Sequence, residues 1–315
     1  MNIAFVYAGQ GSQKENMGYD LYEQYDVFKE AFDNVDCNGK LKKLCFQSDL
    51  EILSDTRNTQ PAMVAFAYGV TEILRDNDIK PNMVAGLSLG EYSALAAAEV
   101  IDGKTAVELV TYRGDIMAQE VEGMDSKMVA VLKLHREKLE ELCKEGSKYG
   151  IVEISNYNCP GQQVFAGESK AVDRVTQLCM DNGAKRCMAL NVSGPFHTSL
   201  LKSAGDKLGQ KLKYINFKHP KIPVIFNCTG KSLNKDDSVN EIKKLLERQV
   251  QSSVYFEDSI RYMIARDIDT IIEIGPGRVL SGFVKKIDPN IKTYAVDDCE
   301  SMENLLKDWR EIHGK

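Results

Sequence analysis

Long apolar runs are absent from this 315-residue sequence. None approaches the roughly 20 residues that span a bilayer, so no membrane-spanning helix is expected. An excess of positive charge is absent too: 40 Lys and Arg against 46 Asp and Glu leave a formal net charge of −6. That argues against nucleic acid as a partner while leaving room for a local basic patch. The eight cysteines, at 37, 45, 143, 159, 179, 187, 228 and 299, include no C-x-x-C pair, so neither a zinc site nor a redox motif is suggested. The first seven residues carry no basic segment ahead of their apolar stretch, which ends at glycines. They read as a first β-strand rather than a secretion signal, and the cysteines are expected as reduced thiols in a cytoplasm. Histidine is scarce, with four residues, and this restricts the choice of a general base.

What is present is an ordinary globular composition, 43% hydrophobic and 27% charged, in a chain about twice the length of an average domain. Strand and helix patterns alternate throughout, which predicts an α/β fold. Residues 2–7 read as a strand followed by a glycine-rich loop. Gln60 to Arg75 reads as a helix with Pro61 in its first turn. Met83 to Ala85 is a short strand and Glu91 to Ala98 an alanine-rich helix. Residues 127–190 differ in texture, with the order β-α-β-β-α-β of a ferredoxin-like unit. Gly183 stands just past its second helix as a stop signal, and Cys187 to Val192 is its last strand. The expected organisation is a large α/β domain, 1–126 and 193–315, with a small ferredoxin-like domain, 127–192, inserted in it. Asp269 to Ile274 is a buried-type strand, followed by Gly275-Pro276-Gly277 and a helix from about Val279.

Gly86-Leu87-Ser88-Leu89-Gly90 matches G-x-S-x-G between a strand and a helix, the context of a nucleophile elbow. Glycines on either side let the chain turn sharply enough to present the serine hydroxyl and to aim a helix N-terminus at developing negative charge. A serine hydroxyl needs a base. His135 opens a helix of the insert, His219 precedes Pro220 in a polar stretch and His313 lies in the tail. His197, where the insert rejoins the large domain, is favoured by elimination and location. No acidic partner for it can be picked: Asp102, Asp115, Asp125, Asp173 and Asp181 are present without any mark of the role. Arg113, on these residues alone, reads as a surface arginine on a helix.

Gly9-Gln10-Gly11-Ser12-Gln13, the Gly86–Ala94 segment, Tyr112-Arg113-Gly114, Asn156-Tyr157-Asn158-Cys159-Pro160-Gly161-Gln162, Pro195-Phe196-His197 and Glu273-Ile274-Gly275-Pro276-Gly277 occur in this order. In this the chain, over nearly its whole length, resembles the malonyl-CoA:acyl carrier protein transacylases. The resemblance implies a serine-hydrolase-like parallel-sheet core with a ferredoxin-like small domain and the active site in the cleft between them. It implies that Ser88 attacks the malonyl thioester with His197 as base and then acid, that the backbone amides of Gln10 and Leu89 form an oxyanion hole, and that the backbone carbonyl of Gln249 replaces the third carboxylate. It further implies that Arg113 pairs with the free malonate carboxylate, and that Asn156, Asn158 and Phe196 contact substrate. Three departures stand out: Leu87 where the family usually has histidine, Ala8 where it has proline, and Ser252-Ser253-Val254-Tyr255-Phe256 where it has a Pro-Val-x-Trp-like run.

The expected function is therefore malonyl transfer from malonyl-CoA to a phosphopantetheinylated acyl carrier protein in fatty acid synthesis. No cofactor, metal, nucleic acid or membrane is expected, and the chain is taken as a cytoplasmic monomer. Other readings are an acyltransferase of a polyketide pathway, a serine esterase or thioesterase, and a non-catalytic module that binds carrier proteins. Arg113 speaks against an esterase, which has no use for a carboxylate clamp. The intact Ser88 and His197 speak against a non-catalytic module. Carrier proteins of this kind are acidic and this chain is net negative, so docking should use a local basic patch. Lys185 and Arg186 are the first choice, Lys285 and Lys286 the second.

Overall fold

The computed structural model describes residues 1–234 and 236–314; the side chains of Cys37 and His313 lie outside the described part. Among the described residues eleven strands follow one another: β1 (Ile3–Tyr7), β2 (Met83–Gly86), β3 (Ser126–Leu132), β4 (Val152–Cys159), β5 (Gln162–Glu168), β6 (Arg186–Ala189), β7 (Val224–Phe226), β8 (Lys231–Ser232), β9 (Val254–Tyr255), β10 (Thr270–Ile274) and β11 (Lys292–Val296). The chain forms two compact units. One comprises residues 1–114, 217–225 and 263–315, the other 115–216 and 226–262. The second unit encloses the 127–192 segment together with 115–126, 193–216 and 226–262.

The first unit is built on five parallel strands in the order β11-β10-β1-β2-β7. β1 and β10 are buried at every position, Ile-Ala-Phe-Val-Tyr and Thr-Ile-Ile-Glu-Ile. Such unbroken burial is what a parallel strand covered on both faces requires. β1 pairs with β10 on one side and β2 on the other, with Tyr7 level with both Ile274 and Gly86. The loops after β1, β2 and β10 therefore leave the same, carboxyl end of the sheet, where open α/β sheets bind their ligands.

The helix expected from Gln60 begins earlier, at Thr56, and runs to Asp76. Asp55 caps it by accepting the Arg57 N–H, so Pro61 sits in the helix interior and not in its first turn. Most of this helix is buried, consistent with its small and apolar side chains.

In the second unit the sheet order is β6-β3-β5-β4-β9. β3 pairs antiparallel with β5 and β6, β4 antiparallel with β5, and β4 parallel with β9. Helices Arg136–Gly146 and Ser169–Asp181 cover a core of Val129, Val131, Leu139, Phe165 and Val175, among others. Gly183 stops the second helix at φ 88°, with the Ala184 N–H returning to the Cys179 carbonyl at 2.9 Å. The last strand of this region ends at Ala189, three residues short of the expected Val192.

Candidate active site

The nucleophile turn is tight enough to leave no room for a Cβ at Gly86 or Gly90. A Cβ on Gly86 would lie 1.9 Å from the Gly90 carbonyl carbon, and one on Gly90 would lie 2.2 Å from the Tyr7 oxygen. Between them Ser88 takes the left-handed conformation, φ 54°, which an L-residue adopts at a cost and which recurs at functional sites. The helix Gly90–Ala97 starts at once, with the Glu91 N–H on the Ser88 carbonyl at 3.1 Å. Leu89, at the helix N-cap, is buried. The β1 loop lies alongside: the Leu87 N–H donates to the Tyr7 carbonyl at 2.9 Å, and a Cβ on Gly9 would lie 2.5 Å from the Leu87 oxygen. This close approach places the Gln10 and Ser88 loops together at the carboxyl end of the sheet. Gln10 is held through its side-chain amide, which donates to Thr56 Oγ1 at 2.9 Å.

Arg113 is not on the surface, as its residues alone suggested, but 1% exposed. Its Nη2 donates to Ser88 Oγ at 3.2 Å and its Nη1 to Gln60 Oε1 at 2.8 Å. The guanidinium stands 5.5 Å from the centre of the Tyr92 ring. Burial lowers its pKa from the ordinary arginine value, while Tyr92 and Glu91 act in the opposite sense. The following residue explains the placement. A Cβ on Gly114 would lie 2.9 Å from the Thr56 oxygen, so the helix Gly103–Val121 can approach the start of the helix Thr56–Asp76. Gln60 was missed in the sequence; nothing local marks it, since its partner is 53 residues away.

The histidine belongs to the second unit. His197 is 4% exposed, whereas His135 and His219 are exposed. Its backbone is also left-handed, φ 64°. Nδ1 lies 2.8 Å from the Gln249 carbonyl oxygen, a contact that fixes the tautomer with the proton on Nδ1 and leaves Nε2 unprotonated. Gln249 is fully buried at the end of the helix Val239–Gln249. Phe196 is buried beside His197, and its carbonyl accepts from Ser155 Oγ at 2.8 Å. Asn156 is half-buried beside this contact, its Oδ1 2.9 Å from Ser155 Oγ, and Asn158 is buried further along β4.

Lys185 and Arg186 are exposed at the start of the edge strand β6. Two strands, β3 and β5, separate it from β4, a span of roughly 14 Å at the usual strand spacing. Lys285 is engaged within the fold, its ammonium donating to the Pro289 and Ile291 carbonyls at 3.2 and 2.7 Å. The Glu273 motif residue is structural: fully buried, it accepts the N–H groups of Leu280 and Ser281 at 2.9 and 2.7 Å, at the start of the helix Val279–Ile287. No group of three or more potential metal ligands occurs among the described residues.

Residues 4–310 match the family model described as acyl transferase domain. The malonyl CoA-acyl carrier protein transacylase of Bacillus subtilis (strain 168) is 42% identical over 312 residues, covering 98% of each chain. The crystal structure of malonyl CoA-acyl carrier protein transacylase from Clostridium perfringens superposes with a TM-score of 0.94 at 36% identity, over 99% of this chain and 98% of that one. A malonyl-transacylase solved in complex with a type II polyketide synthase acyl carrier protein matches with a TM-score of 0.92 at 36% identity, over 98% of this chain and all of that one.

Proposed function

This chain belongs to the acyl transferase domain family, and we propose that it moves a malonyl group from malonyl-CoA to the phosphopantetheine thiol of an acyl carrier protein, supplying fatty acid synthesis. The observation that carries the reading is Arg113, a buried guanidinium in hydrogen-bonding contact with the hydroxyl of a strained serine. A buried cation there favours an acyl group with a free carboxylate, which malonate has and acetate lacks.

In this reading Ser88 Oγ attacks the thioester carbonyl as His197 Nε2 takes its proton. The oxyanion is held by the amides of Gln10 and Leu89, the latter at a helix N-terminus. The coenzyme A sulfur leaves with the proton from Nε2, and malonyl-Ser88 remains. The carrier thiol then gives its proton to Nε2 and attacks the ester, and Ser88 Oγ leaves with that proton. Throughout, Nδ1–H donates to the Gln249 carbonyl, which orients the ring and stabilises the imidazolium less than a carboxylate would. Asn156, Asn158 and Phe196 are assigned to substrate contacts, and Lys185 and Arg186 to carrier docking, which their exposure supports.

The fold is read as a serine-hydrolase-like core carrying a ferredoxin-like small domain at 127–192. The parallel sheet ending in the Ser88 turn supports the first part. The order β6-β3-β5-β4, fourth-first-third-second within that segment, supports the second. A cytoplasmic site is proposed, and the seven described cysteines, present as thiols, support it. The chain is proposed to act as a monomer. The complex with a polyketide carrier protein favours a second reading, the same reaction serving a polyketide pathway. Intact mass after incubation with malonyl-CoA or acetyl-CoA tests the proposal. A malonyl adduct on Ser88 that is discharged by fatty acid carrier protein is expected; no adduct, or one on a cysteine, refutes it.

A further inference from the structure

Three consecutive residues of β4 tie down the segments around His197 and Gln249. The Glu153 carboxylate accepts from the Ser199 N–H at 2.7 Å and from its hydroxyl at 2.6 Å. The Ile154 carbonyl accepts from Ser253 Oγ at 2.5 Å. Ser155 Oγ donates to the Phe196 carbonyl at 2.8 Å in a fully buried bond. Glu153 and Ser155 flank Ile154 where the register of β4 shifts, between Ile154 and Asn156, and they grip residues 199 and 196 on either side of His197. Ser253 lies four residues beyond Gln249, and β9 then pairs with β4 through Asn156 and Val254. One strand thus holds both partners of the His197–Gln249 contact.

The Phe196 carbonyl and the His197 N–H belong to one planar peptide unit. Turning that plane changes φ of His197, which stands at 64°, in a region that a residue with a Cβ leaves unless held. Ser155 is itself 0% exposed, so water is not at hand to replace its bond. Its hydroxyl has a second acceptor, Asn156 Oδ1 at 2.9 Å. The hydroxyl has one proton, so the two acceptors compete for it, and the Phe196 carbonyl is the nearer of the two.

We propose that Ser155 is a positioning residue: by holding the Phe196–His197 peptide plane it keeps the imidazole Nδ1–H on the Gln249 carbonyl. This rests on the reading of His197 as the base. The test compares the full-length protein with S155A and S155T. The first measurement is the downfield Nδ1–H resonance of His197 in histidine-labelled protein, assigned with the H197A variant. The second is kcat and KM for malonyl transfer, alongside the melting temperature.

In S155A the resonance should broaden or move. The kcat should fall about tenfold, the scale of one buried hydrogen bond, with KM for malonyl-CoA kept and the melting temperature lowered by no more than about a few degrees. S155T, which retains the hydroxyl, should recover most of both signals. An unchanged resonance and kcat in S155A overturns the proposal. So does a loss of kcat that only parallels a fall in melting temperature while the resonance stays in place. If S155A is insoluble, S155C, of similar size with a weak donor, carries the same measurements. The resonance needs no substrate, so it tests the positioning even if wild-type protein forms no malonyl-Ser88, an outcome that would count against the transferase reading instead.

Discussion

Arg113→Ala takes away a guanidinium that is 1% exposed and donates to both Ser88 Oγ and Gln60 Oε1. Malonate bound there would exchange water for this cation alone, so the pair would be desolvated on both sides. Truncating one partner of such a pair costs about 2–5 kcal/mol, or roughly 30-fold to several thousandfold in kcat/KM. The depth of Arg113 places the expected loss toward the upper end, on the order of 10³. Acetyl-CoA has no carboxylate to lose and is met by a buried charge without a substrate partner. Its transfer should hold within about threefold or rise. Arg113→Lys should fall between, because it keeps the charge and loses the planar fork. Gln60→Ala, which only loosens the guanidinium, should cost malonyl transfer about tenfold or less. The assay is kcat/KM for both thioesters, with malonyl-Ser88 and acetyl-Ser88 followed by intact mass. Equal losses for malonyl and acetyl in Arg113→Ala would make this residue a packing element and refute the clamp.

Reversing the charge of Lys185 and Arg186 together should raise KM for carrier protein about tenfold at low salt and less at high salt, since both are exposed. Formation of malonyl-Ser88 without carrier should stay as in the wild type; unchanged carrier kinetics would place docking elsewhere. Cys187 and Cys299 are both half-buried, yet they should differ in reactivity. A hydrogen bond from Cys179 lowers the pKa of Cys187, whereas burial and Asp20 push Cys299 up to about 12. Limited alkylation at neutral pH with peptide mapping should therefore label Cys187 first, and Cys179→Ala should slow it; equal labelling of the two would contradict this. Burial raises the pKa of Glu273 above that of an unfolded chain, despite the two amide bonds it accepts. Its folded form thus favours the proton, and its contribution to stability is full below the ordinary carboxylate pKa and lost as pH rises through the raised one. The melting temperature of Glu273→Gln relative to wild type should improve from pH 4 to pH 7, and a difference independent of pH would show that Glu273 does not titrate in that range.

The sequence was most legible where a residue type is forced by local geometry. Gly86 and Gly90 have no room for a Cβ, so the elbow could be read from five letters and their flanking elements. Gly183, at φ 88°, marked the end of its helix for the same reason. Pro61 misled because proline favours a helix start, while Asp55 six residues earlier supplies the actual cap. Arg113 read as a surface residue because its own helix does not reveal what covers it. Its partners, Gln60 and Ser88, come from elements distant in sequence.

The least legible part is the orientation of His197. A side chain that orients an imidazole leaves a recognisable residue type in a sequence, usually a carboxylate. Here the acceptor is the Gln249 main-chain oxygen, and every residue carries one. Only the resemblance pointed to that position; composition and spacing could not. The same holds one step out, where Ser155 grips the Phe196 carbonyl and Ser253 the Ile154 carbonyl. When the acceptors are main-chain atoms, what is specified is the path of the backbone and the donors placed along it. Those donors are serines in strands and turns, residue types common enough there to carry no signal until the strand β4 and the segments it holds are seen together.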